Sequence, residues 1–305
     1  MLCAAIDIGS NTTRVLVAEP VDGQLKKVME QRAYTRISKA IDAEGAITRQ
    51  KVVEVGELVA TQVRLARELG ASEIRAVATA AVREAVNGPE VAAAIAAVAG
   101  VEVDILSGEE EGRLSFIGAT KALGHPVEGP VGVVDVGGGS TEVILGTVPD
   151  GVEEVRSWQV GSGVLADELI TSDPPSAAEI RRVRDRIEDL FEGVEIPHPE
   201  QAVAVGGSAT SLRRLVGAVL EYETLERAIR VLSSEPAVDV ARRFELDPRR
   251  VRILTTGVLL LEKVSELLGQ PLQIGKGGLR EGIILDLLAN GGTASSSSKP
   301  ALRAA

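Results

Sequence analysis

The chain has 305 residues, of which 45% are hydrophobic and 25% are charged, a composition typical of globular proteins and a length that favours two domains. Its formal net charge of -11 argues against general binding to nucleic acids or anionic membranes, because both bind basic surfaces. Aromatic residues make up only 2% of the chain, which leaves little for base stacking on aromatic side chains.

A soluble protein of the cytoplasm is expected. The single cysteine, Cys3, excludes an intramolecular disulfide and indicates a reducing compartment. The N-terminal stretch reaches an acidic residue, Asp7, too soon for a signal peptide. No apolar run in the sequence approaches the roughly 18 residues that a membrane-spanning helix needs.

The two halves of the chain contain the same pattern of a short apolar run, a glycine-rich turn and a second apolar run. Residues 7–18 read DIGSNTTRVLVA, and residues 135–146 read DVGGGSTEVILG. They align without a gap, with Asp7 on Asp135 and Thr13 on Thr141. Each pattern predicts two strands joined by a turn. Because the offset from residue 7 to residue 135 is about the length of one domain, the repeat predicts a structural duplication.

Further elements follow each repeat. Four stretches have the pattern of strands: 26–32, 73–78, 153–160 and 202–205. Four others have apolar residues at helical spacing: 52–69, 177–191, 249–268 and 279–288. The helix over 249–268 is predicted as one long element, although Gly257 weakens its middle. The tail from Gly291 is rich in serine and predicts a flexible extension.

These elements indicate an α/β protein made of two halves, each a strand meander followed by helices and further strands. We expect one domain over residues 1–125 and a second over 126–290, followed by a flexible tail over 291–305. The closing helix, 279–290, is expected to pack back on the first domain. A cleft between the halves is predicted to carry the two glycine turns.

The first glycine turn, residues 9–12, combines one glycine with small polar side chains. Gly9 permits a tight bend, and the residues after it expose backbone N–H groups that suit a phosphate oxygen. Asp7, at the end of the preceding strand, can hold a cation directly or through water. The alternative is a hairpin turn in which Ser10 and Asn11 make only local hydrogen bonds.

The second glycine turn, residues 137–140, contains three consecutive glycines. Such a run costs backbone entropy, which is understandable where a ligand must approach the main chain closely. Glu142 follows the turn, so Asp135 and Glu142 could face the same metal ion. A purely structural turn is the alternative.

A third glycine element, 206–211, lies between an apolar strand and a helix that is predicted to begin near Ser208. A phosphate at the N-terminus of that helix would meet free N–H groups and the positive end of the helix dipole. An ordinary strand-to-helix loop with a serine cap is the alternative.

Three acidic residues, 109–111, stand at a predicted helix start. They can simply complement the helix dipole, but a general base for water attack must also be a carboxylate or an imidazole in a cleft. The only histidines, His125 and His198, lie beside prolines in predicted loops. Carboxylates are therefore favoured as the base, and phosphohydrolase chemistry based on clustered histidines is excluded.

Arg83 follows a predicted strand end in the run ATAAVREA. Its guanidinium group could hold a phosphate through two hydrogen bonds. It could equally be a surface arginine on the following helix.

Taken together, six runs resemble the exopolyphosphatase and guanosine pentaphosphate phosphohydrolase (Ppx/GppA) family, within the superfamily of actin, sugar kinases and Hsp70-like ATPases. They spread over residues 4–284 in the order of the family: AAIDIGSNTTRVLVA, ATAAVREA, ILSGEEEGRLSF, VVDVGGGSTEV, AVGGSATSL and GGLREGI. The set is specific, although no single run would be. The resemblance implies two duplicated ribonuclease H-like (actin-like ATPase) domains with an interdomain cleft.

The resemblance also implies roles for individual residues. Glu111 corresponds to the general base, with Glu110 as the neighbour most easily confused with it, and Arg83 corresponds to a phosphate ligand. The implied Mg²⁺ environment consists of Asp7, Asp135 and Glu142. The implied phosphate cradle consists of Gly9, Ser10, Asn11, Thr12, Gly137, Gly138, Gly139, Ser140, Gly207, Ser208 and Thr210. The LREG run over 279–282 matches a family signature to which we assign a structural role, while Lys276 adds a positive charge of unassigned direction.

The activity implied is exopolyphosphatase: Mg²⁺-dependent hydrolysis of the terminal phosphate of inorganic polyphosphate, with water activated by Glu111. The 5'-phosphohydrolysis of guanosine pentaphosphate (pppGpp), a reaction of the stringent response, is the nearest alternative. A superfamily kinase and a non-catalytic phosphate or nucleotide sensor are more distant. We expect a homodimer with neither nucleic-acid nor membrane partners. Longer family members carry an additional helical, histidine-containing domain, which this chain is expected to lack.

Overall fold

The first of two mixed β-sheets is built from the first five strands. The computed structural model describes residues 1–123 and 127–291. The strands are β1 (Cys3–Ile8), β2 (Thr13–Val21), β3 (Gln24–Ala33), β4 (Glu73–Ala78) and β5 (Val103–Ile105). Their order is β3-β2-β1-β4-β5, in which β1 to β3 form an antiparallel meander and β4 and β5 run parallel to β1.

The second sheet repeats this arrangement. Its strands are β6 (Val131–Val136), β7 (Thr141–Thr147), β8 (Gly151–Trp158), β9 (Gln201–Val205), β10 (Val219–Leu220) and β11 (Leu272–Ile274). The order is β10-β11-β9-β6-β7-β8, with an antiparallel meander of β6 to β8 and with β9 parallel to both β6 and β11. The shared order confirms the duplicated α/β fold that the repeat predicts.

The helices lie mainly between the strands in sequence. In the first half they are the 3-10 helix η1 (Ile37–Ala40), α1 (Arg49–Glu68), α2 (Ala80–Arg83), α3 (Gly88–Ala99) and α4 (Gly108–Lys121). In the second half they are α5 (Ser162–Leu169), α6 (Ala177–Leu190), α7 (Gly206–Val216), α8 (Tyr222–Leu232), α9 (Ala237–Phe244), α10 (Pro248–Val251), α11 (Leu254–Leu268) and α12 (Leu279–Gly291). No helix in the described ranges is both long and apolar enough to cross a bilayer.

The central strands β1 and β6 are buried on both faces, and their alternating side chains pack against different layers of helices. In β1, Ile6 and Ile8 pack towards α1 and α3, whereas Ala5 packs towards α4 and α12. In β6, Val134 contributes to the large core beneath α6, α7 and α11, whereas Val133 packs against α4. The helix α4 therefore contributes to the hydrophobic cores of both sheets.

The contact between α4 and α12 is made by glycines. A Cβ on Gly118 would overlap the carbonyl oxygen of Gly278, and a Cβ on Gly282 would overlap that of Leu114. An ion-pair network fixes α12 further along, where Asp286 accepts hydrogen bonds from Arg75 at 3.0 Å and from Arg113 at 2.9 Å. The C-terminal helix is thus packed against the first sheet and α4.

Two helix predictions are wrong in detail. The single helix predicted over 249–268 is two helices, α10 and α11, which meet at residues 252–253. Periodicity did not reveal the break, because Val251 and Leu254 on its two sides bury against the same core. Gly257 lies inside α11. A side chain does not fit at this position, because a Cβ there would stand 2.7 Å from Ser208 Oγ. The helix predicted to begin near Ser208 begins two residues earlier, at Gly206.

The proposed domain boundary at residues 125 and 126 falls within 124–126, outside the described residues. Residues 292–305 of the predicted tail are also outside them, and Gly291 is the last residue of α12.

Candidate active site

The two glycine turns have the same backbone geometry and touch each other. Gly9 N–H donates to the Thr12 carbonyl at 3.1 Å, and Gly137 N–H donates to the Ser140 carbonyl at 3.0 Å. A Cβ on Gly138 would lie 3.0 Å from Asn11 Cβ. The strands of each sheet thus bring their turns together where the two halves of the molecule meet.

The triple glycine has a packing reason that the sequence analysis missed. A Cβ on Gly139 would overlap Ser10 Oγ of the first turn. On the other side, the N–H groups of Gly163 and Val164, at the start of α5, donate to the Gly138 carbonyl at 3.0 and 3.1 Å. The second turn is therefore held between the first turn and α5, so close ligand approach is not needed to explain its glycines.

A cleft of about 940 Å³ opens where the turns meet. Most of the predicted site residues line it: Asp7, Gly9, Ser10, Asn11, Thr12, Glu111, Asp135, Gly137, Gly138, Gly139, Ser140, Glu142, Gly207 and Thr210. Two predicted residues do not. Ser208 is buried with its Oγ 3.4 Å from Ser162 Oγ, and Arg83 lies behind Glu111.

Of the carboxyl groups that line the cleft, four are buried and lie close enough to shift one another's pKa, and we call them the carboxylate group: Asp7, Glu111, Asp135 and Glu142. Burial and the charge of Asp7 raise the pKa of Asp135 to about 6. Burial, followed by the charges of Glu111 and Asp135, raises the pKa of Glu142 well above its ordinary value. These groups repel one another in a region of low polarity, which a bound cation would relieve.

Glu111 has the environment of a general base. Burial raises its pKa to about 7; Arg83 acts against this increase, while the charges of Asp7 and Asp135 add to it. Its Oε2 accepts a hydrogen bond from Arg83 Nη1 at 2.8 Å. The same Nη1 donates to the Leu106 carbonyl at 3.0 Å, which fixes the guanidinium behind the carboxylate. A carboxylate with a pKa near neutrality is suited to accept a proton from water.

The neighbouring carboxylate is engaged elsewhere. Ser107 caps α4 by accepting the Glu110 N–H at 3.1 Å. Glu110 and Glu111 are both in the first turn of this helix, and their side chains have different partners. Glu110 accepts two hydrogen bonds from Arg113, both at 2.8 Å, on the side that faces Asp286 and α12. The surroundings of Glu110 therefore differ from those of Glu111, which lines the cleft.

Sequence reasoning did not identify the arginine cluster, which consists of Arg14, Arg32, Arg250 and Arg280. A Cβ on Gly207 would lie 2.7 Å from Arg14 Nη2 and 2.6 Å from Arg250 Nη2. The pKa of Arg14 falls to about 9, first through burial and then through repulsion from Arg280 and Arg250. Arg250 is only 5% exposed, and its Nε has no hydrogen-bond partner in the described part of the chain. Such a cluster favours binding of a multivalent anion.

The repeat contained a signal for one of these arginines. Arg14 occupies the position in the first repeat that Glu142 occupies in the second, and each is the cross-strand partner of its aspartate, Asp7 or Asp135. The LREG run, for which only a structural role was predicted, also reaches the cleft, because Arg280 lines the cleft and pairs with Glu30 at 2.8 Å.

Lys276 also lines the cleft, so its positive charge, whose direction the sequence did not show, lies at the site. It precedes the glycine pair that leads into α12, so the cleft receives charge from both sheets and from the C-terminal segment.

No set of three or more His, Cys, Asp or Glu side chains within 1–123 and 127–291 is placed to hold one metal ion together. Asp7, Asp135 and Glu142 therefore do not form a ready-made cage. They still fit Mg²⁺, which is usually bound by one or two carboxylates together with water and substrate phosphates.

Comparison with known proteins identifies the family of the chain. The model of the Ppx/GppA phosphatase family matches residues 16–291. Exopolyphosphatase 1 of Mycobacterium tuberculosis is 32% identical over 303 residues, which cover 93% of this chain and 88% of the relative. Exopolyphosphatase 2 of the same organism is 28% identical, covering 94% and 97%.

Solved structures give the same result for the fold. The Aquifex aeolicus member of the Ppx/GppA family is 28% identical and superimposes with a TM-score of 0.80, covering 97% of this chain and 99% of that one. An exopolyphosphatase from Cytophaga hutchinsonii, at 18% identity and a TM-score of 0.83, shares the fold. The repeated sheets, the paired turns and these matches lead to one conclusion: the chain belongs to the Ppx/GppA phosphatase family.

Proposed function

We propose that this protein is an exopolyphosphatase, a hydrolase of phosphoric anhydrides that removes the terminal phosphate of inorganic polyphosphate. The observation that carries the proposal is the juxtaposition of the carboxylate group with the arginine cluster. Gly206 adjoins Asp135, and the next residue, Gly207, adjoins Arg14 and Arg250, so the two groups meet at the start of α7. A cleft with a buried base on one side and a concentrated positive charge on the other suits a polyanion that is cut at its end.

The lining of the cleft supports an inorganic chain as substrate. In the described part of the protein, Tyr34 is the one aromatic residue that lines it. Two guanidinium groups already lie over its ring, that of Arg249 at 4.0 Å and that of Arg32 at 5.4 Å. A guanine base would have to compete with them for stacking, whereas a phosphate chain needs only cations and N–H donors.

The proposed reaction is direct hydrolysis. A water oxygen forms a bond to the terminal phosphorus, and its proton passes to Glu111. The bridging P–O bond breaks, and its electron pair stays on the shortened chain as a phosphate oxyanion, so orthophosphate is released. The N–H groups of the glycine turns and the arginine cluster hold the phosphate oxygens. Positioning and charge neutralisation of this kind account for most of the catalysis of phosphoryl transfer.

Arg83 is proposed to orient Glu111. The resemblance predicts that Arg83 is a phosphate ligand. For that role, its guanidinium would have to contact Glu111 and a phosphate oxygen at the same time, or give up the contact with Glu111 when phosphate binds. The contact at 2.8 Å supports orientation of the base.

Asp7, Asp135 and Glu142 are proposed to hold Mg²⁺ together with the substrate phosphates. When bound, the ion would neutralise phosphate charge. The mutual repulsion within the carboxylate group supports this assignment, because burial and, after it, neighbouring carboxylates raise the pKa of Asp135 and of Glu142.

A substrate panel tests the function. The purified protein with Mg²⁺ is incubated in turn with polyphosphates of several defined lengths, with guanosine pentaphosphate, and with ATP plus candidate sugars. Released orthophosphate and sugar phosphate are measured. We expect orthophosphate from polyphosphate at a higher kcat/KM than from guanosine pentaphosphate. The reverse preference would assign the nucleotide reaction, sugar phosphate would assign a kinase, and no product from any substrate would reject hydrolysis.

A further inference from the structure

The end of β8 and the residue that follows it contact two carboxylates in different parts of the molecule, Glu142 and Glu84. Ser157 Oγ donates a hydrogen bond to Glu142 Oε1 at 2.9 Å. Two residues later, Gln159 leaves the second sheet and its Nε2 donates to Glu84 Oε2 at 2.7 Å. Glu84 follows α2, which belongs to the first half of the molecule. The Gln159–Glu84 hydrogen bond therefore connects the two halves.

Glu84 passes this contact on towards the base. Its second oxygen, Oε1, accepts a hydrogen bond from Arg83 Nε at 3.1 Å. Arg83 Nη1 in turn donates to Glu111 Oε2 at 2.8 Å. The chain Gln159–Glu84–Arg83–Glu111 thus runs from the second sheet to the general base without a gap, and both oxygens of Glu84 are used in it.

We propose that Gln159 is a positioning residue for the hydrolytic reaction, which holds Glu84 and through it Arg83 so that Glu111 stays aimed at the attacking water. The inference rests on the proposed function of Glu111. Gln159 does not itself line the cleft, so it acts through Arg83 and not on the substrate. Because Gln159 and Glu84 belong to different halves, a relative movement of the halves would change the orientation of the base.

The burial along the chain supports this direction of action. The exposed fraction of the side chains falls from 42% for Glu84 to 17% for Arg83 and 12% for Glu111. The Arg83 guanidinium donates to two carboxylates, to Glu84 through Nε and to Glu111 through Nη1, and these two contacts restrict its rotation. Releasing the outer partner leaves Arg83 with its inner contacts alone and allows Glu111 to leave its productive orientation.

Kinetics on four variants test the proposal. For Gln159→Ala we expect kcat on polyphosphate to fall roughly 2- to 10-fold, the range of one lost hydrogen bond, with KM unchanged. Gln159→Glu places two carboxylates against each other and is expected to lose more. The double variant Glu84→Gln with Gln159→Glu exchanges the two partners. The amide at position 84 can then donate to the carboxylate at position 159, and its oxygen can still accept from Arg83 Nε. We therefore expect a higher kcat for the double variant than for Gln159→Glu alone.

The matched control is Gln273→Ala, which removes an exposed amide from β11 of the same sheet and should leave kcat and KM unchanged. A kcat for Gln159→Ala equal to that of the wild type, or an exchange that recovers nothing, would overturn the proposal. A rise in KM with kcat unchanged would also overturn it, because it would indicate a role in substrate binding.

A crystal structure of Gln159→Ala gives a readout that does not depend on turnover. We expect the Glu84 carboxylate to leave Arg83 Nε and the hydrogen bond between Arg83 Nη1 and Glu111 Oε2 to lengthen or break. Retention of both contacts would contradict the proposal even if the wild-type protein released no phosphate. Failure of the wild-type protein to hydrolyse polyphosphate would instead reject the proposed function, so the two failures are distinguishable.

Discussion

Glu110 and Glu111 are adjacent on the first turn of α4, yet their surroundings have opposite effects. The hydrogen bonds from Arg113 hold the pKa of Glu110 below its ordinary value. Burial raises the pKa of Glu111 to about 7. A general base works best when its pKa is close to the working pH. At the residue scale, the environment of each side chain decides which carboxylate is suited to activate water.

The raised pKa of Glu111 predicts an acid-side loss of activity. The base must be ionised, so kcat should fall as the pH drops through the pKa of the active complex. We expect the midpoint to lie between 4.5, the ordinary value for glutamate, and about 7, because a bound cation favours the ionised form. A pH profile of kcat at saturating Mg²⁺ measures it, and a flat profile down to pH 4.5 would contradict the assignment.

Arg250 should contribute to substrate binding at the expense of stability. Arg250→Met removes a charge-assisted contact, so kcat/KM on polyphosphate should fall about 10- to 100-fold. The same change relieves repulsion within the arginine cluster, so the thermal midpoint should stay the same or rise. The control is Arg252→Met, two residues further on, which pairs with Asp173 at 3.5 Å outside the cleft. Equal losses of kcat/KM in both variants would indicate that Arg250 does not bind the substrate.

The sequence predicted the carboxylates of the site better than its arginines. Asp7, Asp135 and Glu142 stand beside glycine turns, where local sequence marks them. Arg14 was visible only through its alignment with Glu142. Arg250 had no local signal, because it reaches the cleft from α10, a short separate helix that periodicity does not distinguish from α11.

At the scale of elements, the position of Glu111, the proposed base, depends on how α4 is packed. Gly118 and Gly282 allow the backbones of α4 and α12 to touch, and Asp286 ties α12 to Arg75 and Arg113. The first turn of α4 carries Glu111, so a shift of this helix would move the base. Strand and helix positions around it followed from periodicity, but this glycine contact depends on pairing between distant segments and was not predictable from either one.

Gly282→Ala tests the contact. The added methyl group overlaps the Leu114 carbonyl, so we expect a loss of about 1–3 kcal/mol in the free energy of unfolding. Activity should fall as well, because α4 must shift. Ala289→Ser, at an exposed position on the same helix, should change neither. Chemical denaturation measures the free energies, and a Gly282→Ala protein as stable as the wild type would mean that the helices are not in backbone contact.

At the scale of the whole molecule, an acidic protein of formal net charge -11 contains a cleft to which arginines contribute strongly. The acidic balance argued against nucleic acid, and it also required a locally basic or metal-neutralised site for a polyanion. The arginine cluster provides such a basic region, and the carboxylate group is proposed to hold a cation beside it. The homodimer, the cytoplasmic location and the domain boundary stay predictions.

The carboxylate group predicts that Mg²⁺ stabilises the fold in a pH-dependent way. The pKa values of Asp135 and Glu111 are raised in the folded protein, from 3.8 to about 6 and from 4.5 to about 7. The folded state therefore binds more protons than the unfolded state in this window, so stability falls as the pH rises from about 4 to about 7. A cation that replaces those protons should raise the thermal midpoint more at pH 8 than at pH 5.5.

Thermal unfolding with and without Mg²⁺ at the two pH values measures this effect. Asp135→Asn serves as the control, because it removes one of the repelling charges and should reduce the Mg²⁺ effect at pH 8. A Mg²⁺ effect that is larger at pH 5.5, or that is unchanged in Asp135→Asn, would argue against a cation at these carboxylates.

The central claim is that Glu111 activates water for the hydrolysis of a terminal phosphate. Its most direct test is the rate of orthophosphate release from a polyphosphate of defined length by the wild type, Glu111→Gln and Glu110→Gln. Because a general base contributes about 10²–10⁴-fold, kcat of Glu111→Gln should fall by at least about 10²-fold, while substrate is still bound and Glu110→Gln stays close to the wild type. Wild-type turnover in Glu111→Gln would contradict the account.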